Sequence, residues 1–275
     1  MSQESLPPPP QLLSVKDDGL QDVLPGDLLE RYEVHSYRNA ARILASACKQ
    51  EFAELVETLA TFRIETDEMV RKGGNKSQIA KNMDDLLNPK GWFETRIHGD
   101  LEFETVSKRL VGMTGGKNPK KKWEPDRNRY RIENVIDGHK IDFIKGKVAF
   151  DMEWNSKDQT FDRDLYAMRA FYEAGIISAG VLLTRDSSLR STFSDIGQRV
   201  DIDKFASKYG ASTTWMGKLT YRLDAGRAGG CPILAIGITP RVISDFDDWV
   251  SAHPIIRDQV DLGELDKPTV EEGED

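Results

Sequence analysis

The sequence predicts an α/β protein with a central mixed sheet. Two continuous apolar runs, 176–184 and 231–239, are typical of strands that are buried on both faces. A third segment, 139–157, has two short apolar runs on either side of Lys145-Gly146-Lys147, which is the pattern of a β-hairpin. Because a helical pattern at 163–174 separates this hairpin from the first buried strand, a parallel or mixed sheet is favoured.

Helices and one strand are predicted before the hairpin. Apolar residues recur at spacings of three and four across 36–63, which predicts the longest helix. Ser77 is a suitable N-cap for a helix that ends at Leu87, just before Asn88 and Pro89. The segment 92–98 is predicted to be a strand.

The second half of the chain is predicted to contain fewer helices. Residues 185–230 are polar and interrupted by glycines, so we expect mostly loop there, with a helix that begins at Met216. A short helix around Trp249 is expected to close the domain. The predicted organisation is a flexible N-terminal arm (1–26), a single domain (27–257) and a disordered acidic tail (258–275).

The net charge of −8 is unevenly distributed. The tail, residues 258–275, carries eight acids and one lysine, a net of −7, so the first 257 residues carry only about −1. The most basic stretch, 107–130, is interrupted by Gly112, Gly115, Gly116 and Pro119 and is predicted to be an inserted loop. Such a loop could contact a phosphate backbone, where charge matters more than shape. The alternative is a solvated loop without a partner.

Composition also limits the cellular setting. No run of 18 apolar residues occurs, so no membrane span is predicted. The N-terminal MSQESLPPPP lacks the basic and apolar regions of a secretory signal. Cys48 and Cys231 are far apart and outside any CxxC pair, so we expect reduced thiols and a cytoplasmic protein.

The second strand of the hairpin carries two acids on one face. Asp151 and Glu153 alternate with apolar residues, which places their carboxylates about 7 Å apart, and Asp142 on the partner strand can lie near them. Like charges on a half-buried face repel each other. A hard divalent cation such as Mg²⁺ would remove the conflict. Two alternatives stay open: acids that simply face solvent, and the carboxylate pair of a glycoside hydrolase.

Asp142 followed by Asp151-Met152-Glu153 resembles the PD-(D/E)xK nuclease motif, with Glu153 at the position where Lys is usual. In this respect the chain resembles the BamHI and BglII branch of type II restriction endonucleases, which carry Glu or Gln there. Several other segments are similar to the BglII/BstYI side of that branch and follow in the right order over about 34–240. They are SYRNAARIL at 36–44, 77–82, 90–92, 142–151, 226–227 and 232–240.

The resemblance implies a restriction endonuclease-like three-layer α/β/α core, a homodimer around double-stranded DNA and Mg²⁺-dependent hydrolysis. Asp142 and Asp151 would bind the metal, and Glu153 would be a ligand or a base. Asn82 falls near the fourth active-site position of the family. The expected DNA contacts are Asn155, Ser156, Lys157, Lys120, Lys121, Lys122, Ser212, Thr213, Thr214 and Arg227.

The resemblance also bears on the substrate. Well-known members of this branch read GATC-centred sites and leave four-base 5′ overhangs, so a short palindromic site of that kind is implied. It further implies the bacterial cytoplasm and a cognate DNA methyltransferase in the same cell. Because Glu153 departs from the usual motif, the alternative is a sequence-specific DNA-binding protein on a nuclease-like fold with weak or no catalysis.

Overall fold

The structure, a computed structural model, describes residues 16–71, 76–202, 205–210 and 212–257. These residues form an α/β fold around a six-stranded mixed sheet, as predicted. The strands are β1 (Tyr32–Tyr37), β2 (Phe93–Met113), β3 (Lys121–Lys145), β4 (Val148–Glu153), β5 (Ala179–Arg185) and β6 (Ile233–Ile238). The helices are α1 (Gly26–Arg31), α2 (Ala40–Ala47), α3 (Lys49–Thr61), α4 (Thr66–Val70), α5 (Gln78–Leu87), α6 (Thr160–Glu173), α7 (Leu189–Arg199), α8 (Met216–Asp224) and α9 (Phe246–Ala252).

The sheet has the strand order β1-β6-β5-β4-β3-β2. The three central strands β4, β5 and β6 run parallel to one another, whereas β3 and β1 are antiparallel to their neighbours. Each of the central strands is buried at every position. The expectation of double-sided burial for β5 and β6 is therefore confirmed, and it extends to β4, for which the sequence predicted only one buried face.

The hairpin between β3 and β4 forms as predicted, with Phe143 paired to Phe150 and Lys145 paired to Val148. Its two-residue connection places Gly146 at a φ of 53°, a left-handed conformation that tight hairpin turns require. The Phe143 and Phe150 rings stack with their centroids 5.5 Å apart. This packing anchors the strand that carries Asp151 and Glu153.

The chain divides into two compact units, one of which consists of residues 95–140. In this unit Phe103 stacks on Tyr130 at 5.3 Å, and Glu104 pairs with Arg127 and Arg129. The prediction of a loop at 107–130 is wrong, because β2 continues to Met113 and β3 begins at Lys121. Gly115, Gly116 and Pro119 lie in the short connection between these two strands, so they mark a turn and do not interrupt either strand.

The N-terminal boundary also differs from the prediction. Residues 1–15 and the acidic tail, 258–275, lie outside the described residues. Within the predicted flexible arm, however, Lys16 forms a β-bridge with Tyr37, and Leu24 is buried in the core. The segment 16–26 therefore packs on the domain and is not a flexible arm.

Two predicted elements are subdivided or displaced. The helix predicted at 36–63 begins instead after β1, because Arg38 and Asn39 adopt left-handed φ angles of 57° and 61°, and it breaks at Cys48. The mostly irregular segment 185–230 contains α7, which the serine-rich composition concealed. Its buried residues Leu189, Phe193 and Ile196 do follow helical spacing.

The predictions for α5, α8 and α9 are confirmed, and Ser77 Oγ accepts a hydrogen bond from Ala80 N at 3.1 Å.

Candidate active site

The hairpin fixes two carboxylates against each other. Asp142 precedes Phe143 on β3 and Asp151 follows Phe150 on β4, so the two acids lie next to the Phe143–Phe150 pair. The backbone N–H of Asp142 donates to Asp151 Oδ1 at 2.6 Å, and the N–H of Met152 donates to Asp142 Oδ2 at 3.1 Å. Each acid is thus oriented by the neighbouring strand, which gives the pair a defined geometry.

The acids on β4 are buried. Asp151 is 3% exposed and Glu153 is 8% exposed, whereas Asp142 is open to solvent. Asp151 Oδ2 and Glu153 Oε2 find no hydrogen-bond partner among the described residues. Buried polar atoms are almost always paired in native proteins, so two orphaned carboxylate oxygens in one site indicate that something else binds there. The alternative of acids on a solvent-facing strand is therefore wrong for this pair.

Burial and mutual repulsion disfavour the ionised forms of these acids. Burial raises the pKa of Asp151 well above its usual range, and the nearby carboxylates of Asp164 and Asp142 add to the effect. Burial and Asp164 likewise raise the pKa of Glu153 to about 8. Partial desolvation raises the pKa of Asp142, although Lys76 opposes this. A bound cation would reverse all three effects.

Asp164 is a fourth acid that the sequence interpretation missed. It lies on α6, is 1% exposed and hydrogen-bonds to Glu153. A signal for it existed in the sequence. Asp164 stands four residues before Met168 and seven before Phe171, so it occupies a core position in the apolar stripe of α6. An acid in such a stripe indicates a buried polar partner.

The acids open into a cleft of about 630 Å³. Three basic side chains, Arg71, Lys76 and Lys208, line it together with Asp142 and Glu153. Asn82, the predicted fourth active-site residue, does not line the cleft. Its side chain donates to Glu68 Oε1 at 2.7 Å and accepts from Gln78 Nε2 at 3.0 Å, and those two residues do line it.

The predicted DNA-reading segments 155–157 and 212–214 lie side by side at the end of β4. Asp158 N donates to Ser212 O at 3.1 Å, Thr214 N donates to Ser156 O at 2.9 Å, and Lys157 bridges to Thr213. Asn155 Nδ2 donates to the carbonyl of Lys208 at 3.0 Å. The structure thus brings together two segments that are more than 50 residues apart in the chain.

The other five predicted DNA contacts that can be compared lie in different surroundings. Thr214 is fully buried, and its hydroxyl donates to the carbonyl of Glu153 at 3.1 Å, so it is inaccessible to DNA in this conformation. Arg227 forms an ion pair with Asp162, which Arg222 also binds. Lys120 precedes β3 and is exposed, as are Lys121 and Lys122 at the start of that strand.

The donor set fits a hard divalent cation. In the described part of the chain, no three His, Cys, Asp or Glu side chains are grouped so that they could hold one metal ion. Asp142 and Asp151, which the hairpin holds side by side, are the residues that would hold such a cation. One or two carboxylates with water and phosphate is the usual arrangement for Mg²⁺.

Within the described residues, no helix has both the length and the apolar character of a membrane span. No curated protein sequence matches the chain. The restriction endonuclease BglII/BglIII family, however, matches residues 32–238. This match begins at the first residue of β1 and ends at the last residue of β6, so it covers the whole sheet and the paired acids.

Members of this family generally use a divalent metal and bind double-stranded DNA, which agrees with the carboxylate pair and with the three basic side chains in the cleft. The family also excludes a glycoside hydrolase. The chain therefore belongs to the BglII/BglIII family of type II restriction endonucleases and is a site-specific deoxyribonuclease.

Proposed function

We propose that this restriction endonuclease uses Mg²⁺ to hydrolyse phosphodiester bonds within a short palindromic DNA site. The observation that carries the proposal is the hydrogen-bonded pair of Asp142 and Asp151 beside the orphaned oxygens of Asp151 and Glu153. The same acids argue for catalysis over the alternative of a binding protein on a nuclease-like fold, because an inactive descendant has no reason to keep costly buried carboxylates.

The three acids and two of the basic residues each have a role in this proposal. Asp142 and Asp151 would hold the cation, which when bound would supply charge neutralisation at the phosphate and a lowered pKa for a coordinated water. Glu153 would accept a proton from the attacking water in its ionised form, which a cation held by the neighbouring acids favours. Arg71 and Lys76 line the same cleft and place positive charge where a phosphate enters.

Base reading is assigned to the paired segments beside the acids. Asn155, Lys157, Ser212 and Thr213 carry amide, ammonium and hydroxyl groups that suit base edges in the major groove. We propose a homodimer, because a two-fold axis of the protein maps onto a palindromic site. The family resemblance favours a GATC-centred site cut to leave 5′ overhangs.

The proposal extends to the cellular setting. A nuclease of this kind needs a cognate DNA methyltransferase to protect the genome of its own cell, so we propose that partner in the bacterial cytoplasm. Cys48 and Cys231 are both buried, unpaired thiols, which is compatible with a reducing compartment.

The test is a digest of unmethylated phage DNA with and without Mg²⁺, followed by sequencing of the fragment ends. Discrete Mg²⁺-dependent fragments with a common end sequence are expected, and they would reveal the site and the overhang. A smear would contradict site-specific cleavage. Intact DNA that the protein still retards in a gel would support the binding-only alternative.

Replacement of Glu153 by Gln should slow cleavage about 10²-fold or more, because an amide cannot accept the proton. The rate of the wild-type enzyme should rise with pH as Glu153 ionises, and the variant should lose this rise. Single-turnover rates across the neutral range measure both effects. Glu30→Gln is the matched control, since Glu30 is exposed on α1. A variant with unchanged rate and pH profile would remove Glu153 from the mechanism.

Replacement of Lys120, Lys121 and Lys122 by Gln should weaken DNA binding without changing the preferred sequence. If all three contact phosphates, the slope of log affinity against log salt should fall by up to about 3. Fluorescence anisotropy with cognate and unrelated duplexes at several salt concentrations measures this. An unchanged salt slope would show that these lysines do not contact the DNA backbone.

A further inference from the structure

Arg185, the last residue of β5, is a buried cation whose guanidinium forms no ion pair with an acid in the described part of the structure. Its side chain is almost fully buried, and the guanidinium donates to Thr213 Oγ1 at 2.5 Å and to the carbonyl of Thr214 at 2.8 Å. The guanidinium also lies over the rings of Phe193 and Tyr209, at 5.5 Å and 5.1 Å from their centroids. Its partners are therefore neutral groups.

This arrangement is costly for a residue whose only task is to stabilise the fold. Burial lowers the pKa of Arg185 to about 10, and its Nε has no hydrogen-bond acceptor within the described residues. An unpaired buried charge is unfavourable, and an apolar residue of similar volume is often tolerated as well or better in such a place. Buried ionic groups are kept in some proteins because they select one arrangement of the chain.

Arg185 fixes the conformation of the loop at 212–214. Thr213 and Thr214, its two acceptors, belong to the segment that pairs with 155–158. The Thr214 hydroxyl donates a hydrogen bond to the carbonyl of Glu153, which also accepts a hydrogen bond from Thr184 Oγ1 at 2.8 Å. A continuous set of hydrogen bonds thus joins Arg185, the loop and the backbone of the catalytic strand.

Arginine suits this position better than lysine does. Its planar guanidinium donates both hydrogen bonds from Nη2 and also packs beside Phe193 and Tyr209, whose rings are parallel with centroids 3.9 Å apart. A lysine ammonium would keep the charge and could serve the same acceptors, but it would lose the planar group that packs beside the two rings and the fixed direction of the donors. The two substitutions Arg185→Lys and Arg185→Met therefore separate charge from geometry.

We propose that Arg185 is a positioning residue for sequence discrimination, because it holds the loop at 212–214 in register with the segment at 155–158 beside the catalytic acids. The inference rests on the proposed role of these two segments in reading bases. A cognate site would meet both segments in their fixed arrangement and bring its phosphate to the acids. A loosened loop would read the bases less strictly and allow sites with one altered base pair to be cut.

The test compares Arg185→Lys and Arg185→Met with wild type in single-turnover cleavage in Mg²⁺. The substrates are the site found by sequencing fragment ends and duplexes that differ from it by one base pair. The ratio of cognate to altered-site rates should fall at least about tenfold in Arg185→Met and less in Arg185→Lys. The temperature of unfolding should change little. Arg190→Lys is the matched control, because Arg190 is exposed on α7.

Phe193→Leu is the second variant, since it removes one of the two rings beside the Arg185 guanidinium and leaves the proposed base-reading side chains unchanged. It should reproduce part of the loss of discrimination even if Arg185→Met folds poorly. Equal losses of rate on all substrates, or an unchanged ratio in folded variants, would overturn the inference. If the wild-type enzyme itself shows no preference among the duplexes, the proposed base-reading role fails as well, so the two failures are distinguishable.

Discussion

The Asp151→Asn variant is expected to lose at least about a thousandfold in cleavage rate, which corresponds to roughly 4 kcal/mol of barrier. Asparagine keeps the shape of the side chain and the acceptor for Asp142 N–H, but it removes the negative charge that would bind the cation. The metal-free variant should be at least as stable as wild type at alkaline pH. The reason is that burial and the neighbouring acids make the ionised Asp151 unfavourable in the folded protein.

Single-turnover cleavage, gel retardation and thermal unfolding of the same samples measure the cleavage rate, the DNA binding and the stability of the variant. DNA binding should largely survive, because the basic side chains Arg71, Lys76 and Lys208 of the cleft and the segments at 155–157 and 212–214 are unchanged. Asp248→Asn provides the same chemical change at an exposed position on α9, and it should leave all three measurements unaltered. Strong residual cleavage by Asp151→Asn would refute its assignment as a metal ligand. Asp142→Asn should behave similarly in cleavage.

Chelation of divalent ions is expected to abolish cleavage and to make the free energy of unfolding depend on pH. In the absence of metal, the free energy of unfolding should decrease as pH rises from about 5 to about 8. The folded pKa values of Asp142, Asp151 and Glu153 all lie above their unfolded values, and that of Glu153 is about 8. The three protonated acids therefore make their full contribution to stability below the pKa values of the unfolded chain. This contribution is lost as the pH rises through the higher pKa values of the folded protein.

Added Mg²⁺ should raise the temperature of unfolding more at about pH 8 than at about pH 5, because protons compete with the ion for the carboxylates at low pH. Thermal unfolding with a chelator or with Mg²⁺, over a series of pH values, measures the difference. The Asp151→Asn variant should show a weaker pH dependence without metal and a smaller shift with it. An equal Mg²⁺ shift at both ends of the pH range would contradict a carboxylate site.

Local patterns in the sequence determined much of the catalytic hairpin. The apolar runs, the Lys145-Gly146-Lys147 turn and the alternation along β4 are short-range features, and they correctly predicted which strands pair. The helix α5 was equally predictable, because its Ser77 cap and its ending before Pro89 are local signals. The mixed α/β class followed from the order of these elements. The family resemblance then supplied the expected chemistry for Asp142, Asp151 and Glu153.

Errors arose where distant parts of the chain decide the conformation. Residues 107–113 and 121–130 contain glycine, proline and many charges, yet they form strands because each finds a partner across the hairpin. Leu24 is buried because the core covers it, although its own segment looks flexible. Propensity and composition average over such contacts and cannot detect them.

The sequence by itself determined the α/β class and the β3–β4 hairpin, and it led to the proposal that Asp142, Asp151 and Glu153 are the active-site acids. Only the tertiary structure decided that Glu153 is buried, that Asp164 approaches it from α6, and that Arg185 joins the loop at 212–214 to the catalytic strand. The physical reason is that burial, hydrogen bonding and charge coupling act through space. They depend on which residues the packed sheet and helices bring together, and spacing along the chain does not report this.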